Sequence, residues 1–100
     1  DKKPLTKEQS VKVIEAAIRN HFSVKKPTGE LTKADLEKVT RLNLFGNQLT
    51  SVKGLEKLTK LEMLDLEYSQ LTSVKGLEKL TQLTYLSLYG NPDNTKKQII

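Results

Sequence analysis

The sequence predicts an α/β solenoid: a short parallel β-sheet on the concave face, 3₁₀ or irregular returns on the convex face, and an α-helical cap at the N-terminus. The main observation is an internal repeat, in which Leu42 to Met63 and Leu64 to Tyr85 are identical at 15 of 22 positions without a gap. A third copy begins at Leu86. Repeats of this length are typical of solenoids, in which each unit buries its apolar side by stacking on the next. The second observation is an amphipathic segment before the repeat, where a capping helix is expected.

Apolar residues keep fixed positions within each copy. The Leu-x-Leu step has the period of a strand, so both leucines lie on one face, whereas the later spacing of three residues suits a 3₁₀-like return. The recurring positions are Leu42, Leu44, Leu49, Val52, Leu55, Leu58 and Leu61, then Leu64, Leu66, Leu71, Val74, Leu77, Leu80 and Leu83. A single unit leaves half of its leucines in water, so the strands are expected to stack in parallel.

Polar and glycine positions in the repeat predict its turns. Gly54 and Gly76 occupy the same phase of the return segment, where a tight bend is expected to need a positive φ. Asn47 and Asn91 follow the strands, where an inward amide can satisfy the backbone groups that the bend leaves unpaired. Ser69 takes this place in the middle copy, which predicts a weaker contact there.

The pattern Leu42-x-Leu44-x-x-Asn47-x-Leu49 resembles the leucine-rich-repeat signature, and the 22-residue period is similar to that of the short, bacterial, internalin-like subclass. The resemblance covers residues 36–91, and the third copy departs from it at Asp93. It implies that strands line a concave face and that partners bind on that face or at its edges. It also implies a bacterial, secreted protein with an extracellular, cell-surface or periplasmic location, which the residues themselves do not determine.

The flanks are expected to cover the apolar ends of the stack. Thr6 and Gln9 have capping-box spacing, which predicts a helix over residues 7–21. Its apolar side is predicted to contain Val11, Ile14, Ala17, Ile18 and Phe22. Thr32 and Asp35 predict a second, short helix over 33–38, in place of the return of a zeroth repeat.

These patterns divide the chain into a helical N-terminal cap (1–41), leucine-rich repeats (42–63, 64–85 and a partial copy at 86–91) and the start of a C-terminal cap (92–100), which we expect to be cut short. Thr95 and Gln98 have capping-box spacing in this last part. The last strand leaves a sheet edge that only this segment can cover, so self-association through that edge is also expected.

Composition excludes several functional classes. The chain has 100 residues, 36% hydrophobic and 29% charged, without a run of about 18 apolar residues, so no membrane insertion is expected. The net charge is +5, but the lysines are scattered, which argues against a nucleic-acid partner. The absence of cysteine removes thiolate nucleophiles and cysteine metal sites.

Catalytic chemistry has weak support. Asp65 and Glu67, two residues apart on one strand face, would be separated by about 7 Å, but an open face without a pocket leaves both simply ionised. His21 is the only histidine, and no metal ligands accompany it in sequence. Glycine-rich phosphate loops and the G-x-S-x-G motif are absent. We therefore predict no enzyme activity, no catalytic residue, no cofactor and no metal site.

The residues between the strand leucines define the predicted binding site, because side chains alternate along a strand and these point away from the core. They are Arg41, Asn43, Phe45, Met63, Asp65, Glu67, Tyr68, Tyr85, Ser87 and Tyr89, with Tyr68 at the rim. Four of the five aromatic residues belong to this set, and such residues dominate protein interfaces. The sequence thus favours a non-catalytic protein-protein interaction module. The alternative is a structural spacer or stalk, in which the aromatics merely suit a pleated surface.

Overall fold

The computed structural model describes residues 3–92. Helix α1 (Lys7–Asn20) and helix α2 (Lys33–Glu37) precede three strands, β1 (Arg41–Asn43), β2 (Met63–Asp65) and β3 (Tyr85–Ser87). A 3₁₀ turn follows each of the first two strands, at Leu55–Lys57 and Leu77–Lys79. The predicted capping box at Thr95 and Gln98 lies outside the described residues.

The strands form one parallel sheet in the order β1-β2-β3. Leu42 pairs with Leu64, and Leu64 pairs with Leu86, so the pairing follows the sequence repeat without a slip. The second leucine of each strand segment stacks in the same way: Leu44 and Leu66 are buried, and Leu88 is partly buried. The predicted solenoid of stacked repeats is therefore confirmed.

The core is a single cluster of leucines and valines from the repeats, joined by apolar residues of the cap. Ile14 and Ile18 of α1 and Val39 after α2 are buried in this cluster. Burial falls towards the end of the described chain, where Leu83 and Leu86 are only partly buried although the equivalent Leu61 and Leu64 are fully buried. Each repeat thus covers the apolar side of the one before it.

Helix α1 begins with the predicted capping box. The Thr6 side chain accepts a hydrogen bond from the Gln9 backbone N–H, and the Gln9 side chain accepts one from the Thr6 N–H. The helix ends at Asn20, one residue before the predicted end. The placement of Phe22 on its apolar side is wrong, because Phe22 lies after the helix and is 77% exposed.

Hydrogen bonds attach the start of α1 to the first repeat. The Thr50 N–H donates to the Ser10 hydroxyl at 3.0 Å, and the Thr50 hydroxyl donates to the Leu5 carbonyl at 2.9 Å. The Leu5 N–H donates to the Gln48 carbonyl at 3.0 Å. These contacts orient α1 so that Ile14 covers Gly54.

Helix α2 also carries the predicted capping box, between Thr32 and Asp35, and it ends at Glu37 rather than at the predicted residue 38. Lys26 donates to the Asp35 carboxylate at 2.9 Å. This contact and the bonds from Thr32 hold the pKa of the Asp35 carboxyl well below its usual range. The ion pair ties the loop before α2 to its first turn.

The turn predictions are partly confirmed. Gly54 and Gly76 have φ values of 107° and 108°, directly before the 3₁₀ turns. Asn91 is buried and its side chain bonds inward, as predicted. The inward role predicted for Asn47 is wrong, because Asn47 is half-buried and its amide donates only to the Phe45 carbonyl, at 3.5 Å. The Asn91 amide bonds back to Leu66 of the preceding repeat, whereas Asn47 belongs to the first repeat and has the cap before it.

Candidate functional site: the concave sheet face

The sheet register arranges the predicted site residues in three rows that cross the strands. The first two rows consist of residues paired across the parallel strands. The third row lies just beyond the strands, where the pairing continues: the Gly46 N–H donates to the Glu67 carbonyl and the Tyr68 N–H to the Tyr89 carbonyl, both at 2.8 Å. We call these rows, together with Tyr68, the concave face. The rows are Arg41, Met63 and Tyr85; Asn43, Asp65 and Ser87; and Phe45, Glu67 and Tyr89.

Three aromatic rings meet at the carboxyl ends of the strands. Tyr68 lies in the middle, with its ring centroid 5.4 Å from that of Phe45 and 5.5 Å from that of Tyr89. Both contacts are edge-to-face, an arrangement that favours aromatic pairs. The rings remain 54%, 46% and 62% exposed for Phe45, Tyr68 and Tyr89. We call these three residues the aromatic trio.

Tyr68 has a left-handed backbone, with φ of 57°. The equivalent positions in the neighbouring copies are Gly46 and Gly90, for which such a conformation carries no steric penalty. Gly90 is also required by close approach, because a Cβ there would lie 2.6 Å from the Tyr68 ring. Two neighbouring turns thus hold the Tyr68 ring in place.

Burial raises the pKa of the Tyr68 phenol, and Tyr89 and the charge of Glu67 raise it further. Tyr68 is therefore neutral at pH 7 and offers a hydroxyl and an aromatic edge.

The middle row holds polar groups that fix local backbone. The Asn43 carbonyl oxygen accepts from the Phe45 N–H, and the Asp65 carboxylate accepts from the Glu67 N–H, both at 2.9 Å. The Ser87 hydroxyl donates to Glu67 Oε2 at 2.7 Å. Asp65 and Glu67 are each half-buried, and the hydrogen bond from Ser87 fixes the Glu67 carboxylate over the sheet.

The opposite end of the face opens into a groove of about 360 Å³, between the strand starts and the end of α1. Its walls include Arg41, Met63 and Tyr85 of the first row, together with His21 and Phe22. The His21 and Phe22 rings stack, with centroids 4.5 Å apart. Sequence reasoning missed this extension, since it placed Phe22 against the core.

His21 has a structural role at this groove. Its Nδ1 accepts from the Ser23 N–H at 3.1 Å, so its Nε2 carries the proton and donates to the Arg41 carbonyl at 2.9 Å.

Within residues 3–92, no three histidine, aspartate or glutamate side chains form a group able to hold a metal ion. No helix in that range is long and apolar enough to cross a bilayer.

The family described as Leucine Rich repeats (2 copies) matches residues 37–79. Among solved structures, the chain is similar to internalin C2 of Listeria monocytogenes, with 28% identity and a TM-score of 0.72 over 92% of this chain and 43% of that one. An internalin (inlF) of the same species has 33% identity and a TM-score of 0.70, with coverage of 78% and 23%.

A structure with the CBM51-2 and INT domains of ZmpB from Clostridium perfringens has 32% identity and a TM-score of 0.63, with coverage of 76% and 16%. The chain thus spans less than half the length of each of these structures. A comparison with curated proteins gave no significant match.

Proposed function

Because the chain is a leucine-rich-repeat protein of the internalin-like kind, we propose that it is a non-catalytic protein-protein interaction module that binds its partner on the concave face. The observation that carries the proposal is the aromatic trio, which is exposed although its rings contact each other. Exposed tyrosine and phenylalanine side chains are enriched at protein interfaces, and tyrosine is enriched among interface hot spots.

The size of the face limits how a partner can bind. Three short strands at about 4.8 Å spacing present a sheet of only a few hundred Å², whereas a specific interface needs about 800 Å² on each side. The groove at His21 and Phe22 continues the face beyond the strand starts. We therefore include Phe22 in the proposed interface and expect the partner to contact both the sheet and the end of α1.

A pull-down with the unsubstituted chain, the parent, as bait tests the proposal. The variant Phe45→Ala/Tyr89→Ala should weaken capture of the partner at least tenfold, since truncation of a hot-spot residue costs about 2 kcal/mol or more. The circular dichroism spectrum should remain that of the parent, because both side chains lie outside the core, but the loss of two ring contacts with Tyr68 should lower the free energy of unfolding by about 1–3 kcal/mol.

The matched control is Lys57→Ala/Lys79→Ala, which removes exposed side chains from the convex returns. This variant should capture the partner like the parent. The alternative, a spacer or stalk without a partner on the concave face, predicts equal capture by parent, aromatic variant and control. That result would overturn the proposed site.

We further propose that residues 1–41 serve as the N-terminal cap, 42–91 as the repeats and 92–100 as the start of a C-terminal cap. An extracellular, cell-surface or periplasmic location is proposed from the family resemblance alone. The partner class is protein rather than nucleic acid, because the exposed lysines are spread over the cap and the returns instead of forming one basic surface.

A further inference from the structure

We propose that the partner presents an arginine, whose guanidinium binds among the aromatic trio and the carboxylates of Asp65 and Glu67. The inference rests on the proposed function, because it names the chemistry that the same face would recognise. It depends on three features of the face: the arrangement of its rings, the placement of its carboxylates and the sign of its charge.

One carboxylate lies between two of the aromatic residues in the sheet register. Glu67 lies in the third row between Phe45 and Tyr89, and the ring of Tyr68 contacts both of these rings. The hydrogen bond from the Ser87 hydroxyl fixes one oxygen of that carboxylate, Oε2. A cation close to Glu67 would therefore lie near aromatic rings as well as a negative charge, and a carboxylate and the face of an aromatic ring both attract cations.

The charge of the face is opposite to that of the chain. The sequence carries +5, yet the concave face holds two carboxylates against the single guanidinium of Arg41 and contains no lysine. Arg41 begins β1, in the first row, whereas the trio lies beyond the strand ends. The ion pairs of residues 3–92 lie in the cap, so no cation of this range pairs with Asp65 or Glu67.

Arginine fits this arrangement better than lysine does. A guanidinium is planar, stacks on aromatic rings and donates two parallel hydrogen bonds to a carboxylate, whereas an ammonium is a compact, strongly hydrated charge. The three aromatic residues remain about half exposed, so their rings are accessible to a partner's side chain. A protein partner with a protruding arginine therefore matches both the shape and the charge of the face.

The test is an NMR titration of the whole chain with the peptide acetyl-Gly-Arg-Gly-amide. The ring resonances of Phe45, Tyr68 and Tyr89 should shift saturably. The same peptide with citrulline, which is neutral and nearly isosteric, should cause no such shift. Glu67→Gln should weaken binding at least about threefold, in line with the greater strength of charge-assisted hydrogen bonds. Glu62→Gln, which changes an exposed carboxylate outside the face, should not.

Three outcomes would overturn the arginine proposal: absence of saturable shifts in the trio, equal binding of the citrulline peptide or of a third peptide with lysine in place of arginine, or unchanged binding by Glu67→Gln. The pull-down separates this failure from failure of the proposed function. If Phe45→Ala/Tyr89→Ala loses the partner but the chain does not bind the arginine peptide, the proposed interaction module stands and only the arginine proposal is rejected. If the chain binds the arginine peptide but that variant captures the partner as well as the parent does, the proposed interface is rejected instead.

Discussion

Tyr68 has a large side chain on a backbone conformation that favours glycine. Its φ of 57° matches the values of 70° and 82° at the equivalent Gly46 and Gly90. A residue with a Cβ in this region costs on the order of 1–3 kcal/mol. Two edge-to-face ring contacts offset part of this cost, since each contributes about 0.5–1.5 kcal/mol. The turn thus stores strain where the proposed site lies.

Two substitutions at this residue separate the strain from the ring contacts. Both Tyr68→Ala and Tyr68→Gly remove the ring, but only glycine also relieves the left-handed backbone. We expect Tyr68→Gly to be more stable than Tyr68→Ala by about 1 kcal/mol, measured by urea unfolding. Equal stabilities would show that the backbone at this turn is not strained.

The sequence predicts residue roles well where they depend on periodicity and less well where they depend on contacts between distant segments. Phe22 continues the apolar spacing of α1, but the helix ends two residues earlier and the ring stacks on His21 instead. The conformation of Tyr68 could have been predicted, because alignment of the copies puts it at the phase of Gly46 and Gly90. The ring cluster itself depends on sheet register and was predicted only as a shared surface.

At the scale of elements, each repeat is tied to the next by polar groups at the turn after the strand. The Asn91 amide donates to the Leu66 carbonyl at 2.8 Å and to the Leu88 carbonyl at 3.0 Å, and its oxygen accepts from the Leu71 N–H at 3.1 Å. Ser69 makes one such bond, to the Leu49 N–H, at 3.4 Å. The sequence predicted this difference from residue type, since a hydroxyl is shorter than an amide and has fewer donors.

Asn91→Ala should therefore destabilise the fold by about 2 kcal/mol, because it leaves buried backbone groups without partners. Ser69→Ala should cost no more than about 1 kcal/mol, as expected for one long hydrogen bond. Asn47→Ala is the matched control and should stay within about 0.5 kcal/mol, since its amide makes only a 3.5 Å contact. Thermal unfolding monitored by circular dichroism gives the ranking, and a larger loss for Ser69 than for Asn91 would contradict it.

For the whole molecule, the two edges of the sheet differ. Alternate residues of a parallel strand bond to opposite neighbours. On β1, the Arg41 carbonyl faces away from β2 and accepts instead from His21 of the cap. On β3, the Ser87 carbonyl faces β2, which directs the backbone groups of Leu86 to the outer edge. The cap thus bonds to the N-terminal edge at Arg41, whereas β3 ends the described sheet with partly buried leucines.

Within residues 3–92, no strand lies beside β3 and the cap bonds to β1, so these two edges would favour a closed dimer: two β3 edges can pair by a twofold axis, whereas head-to-tail growth needs a free β1 edge. We expect the molecular mass from sedimentation velocity to rise with concentration towards that of a dimer and then to stop. His21→Ala should release the Arg41 carbonyl and permit larger assemblies at the same concentration. A monomeric mass at every concentration would exclude pairing through β3, and open-ended assembly of the parent chain would show that the cap does not protect β1.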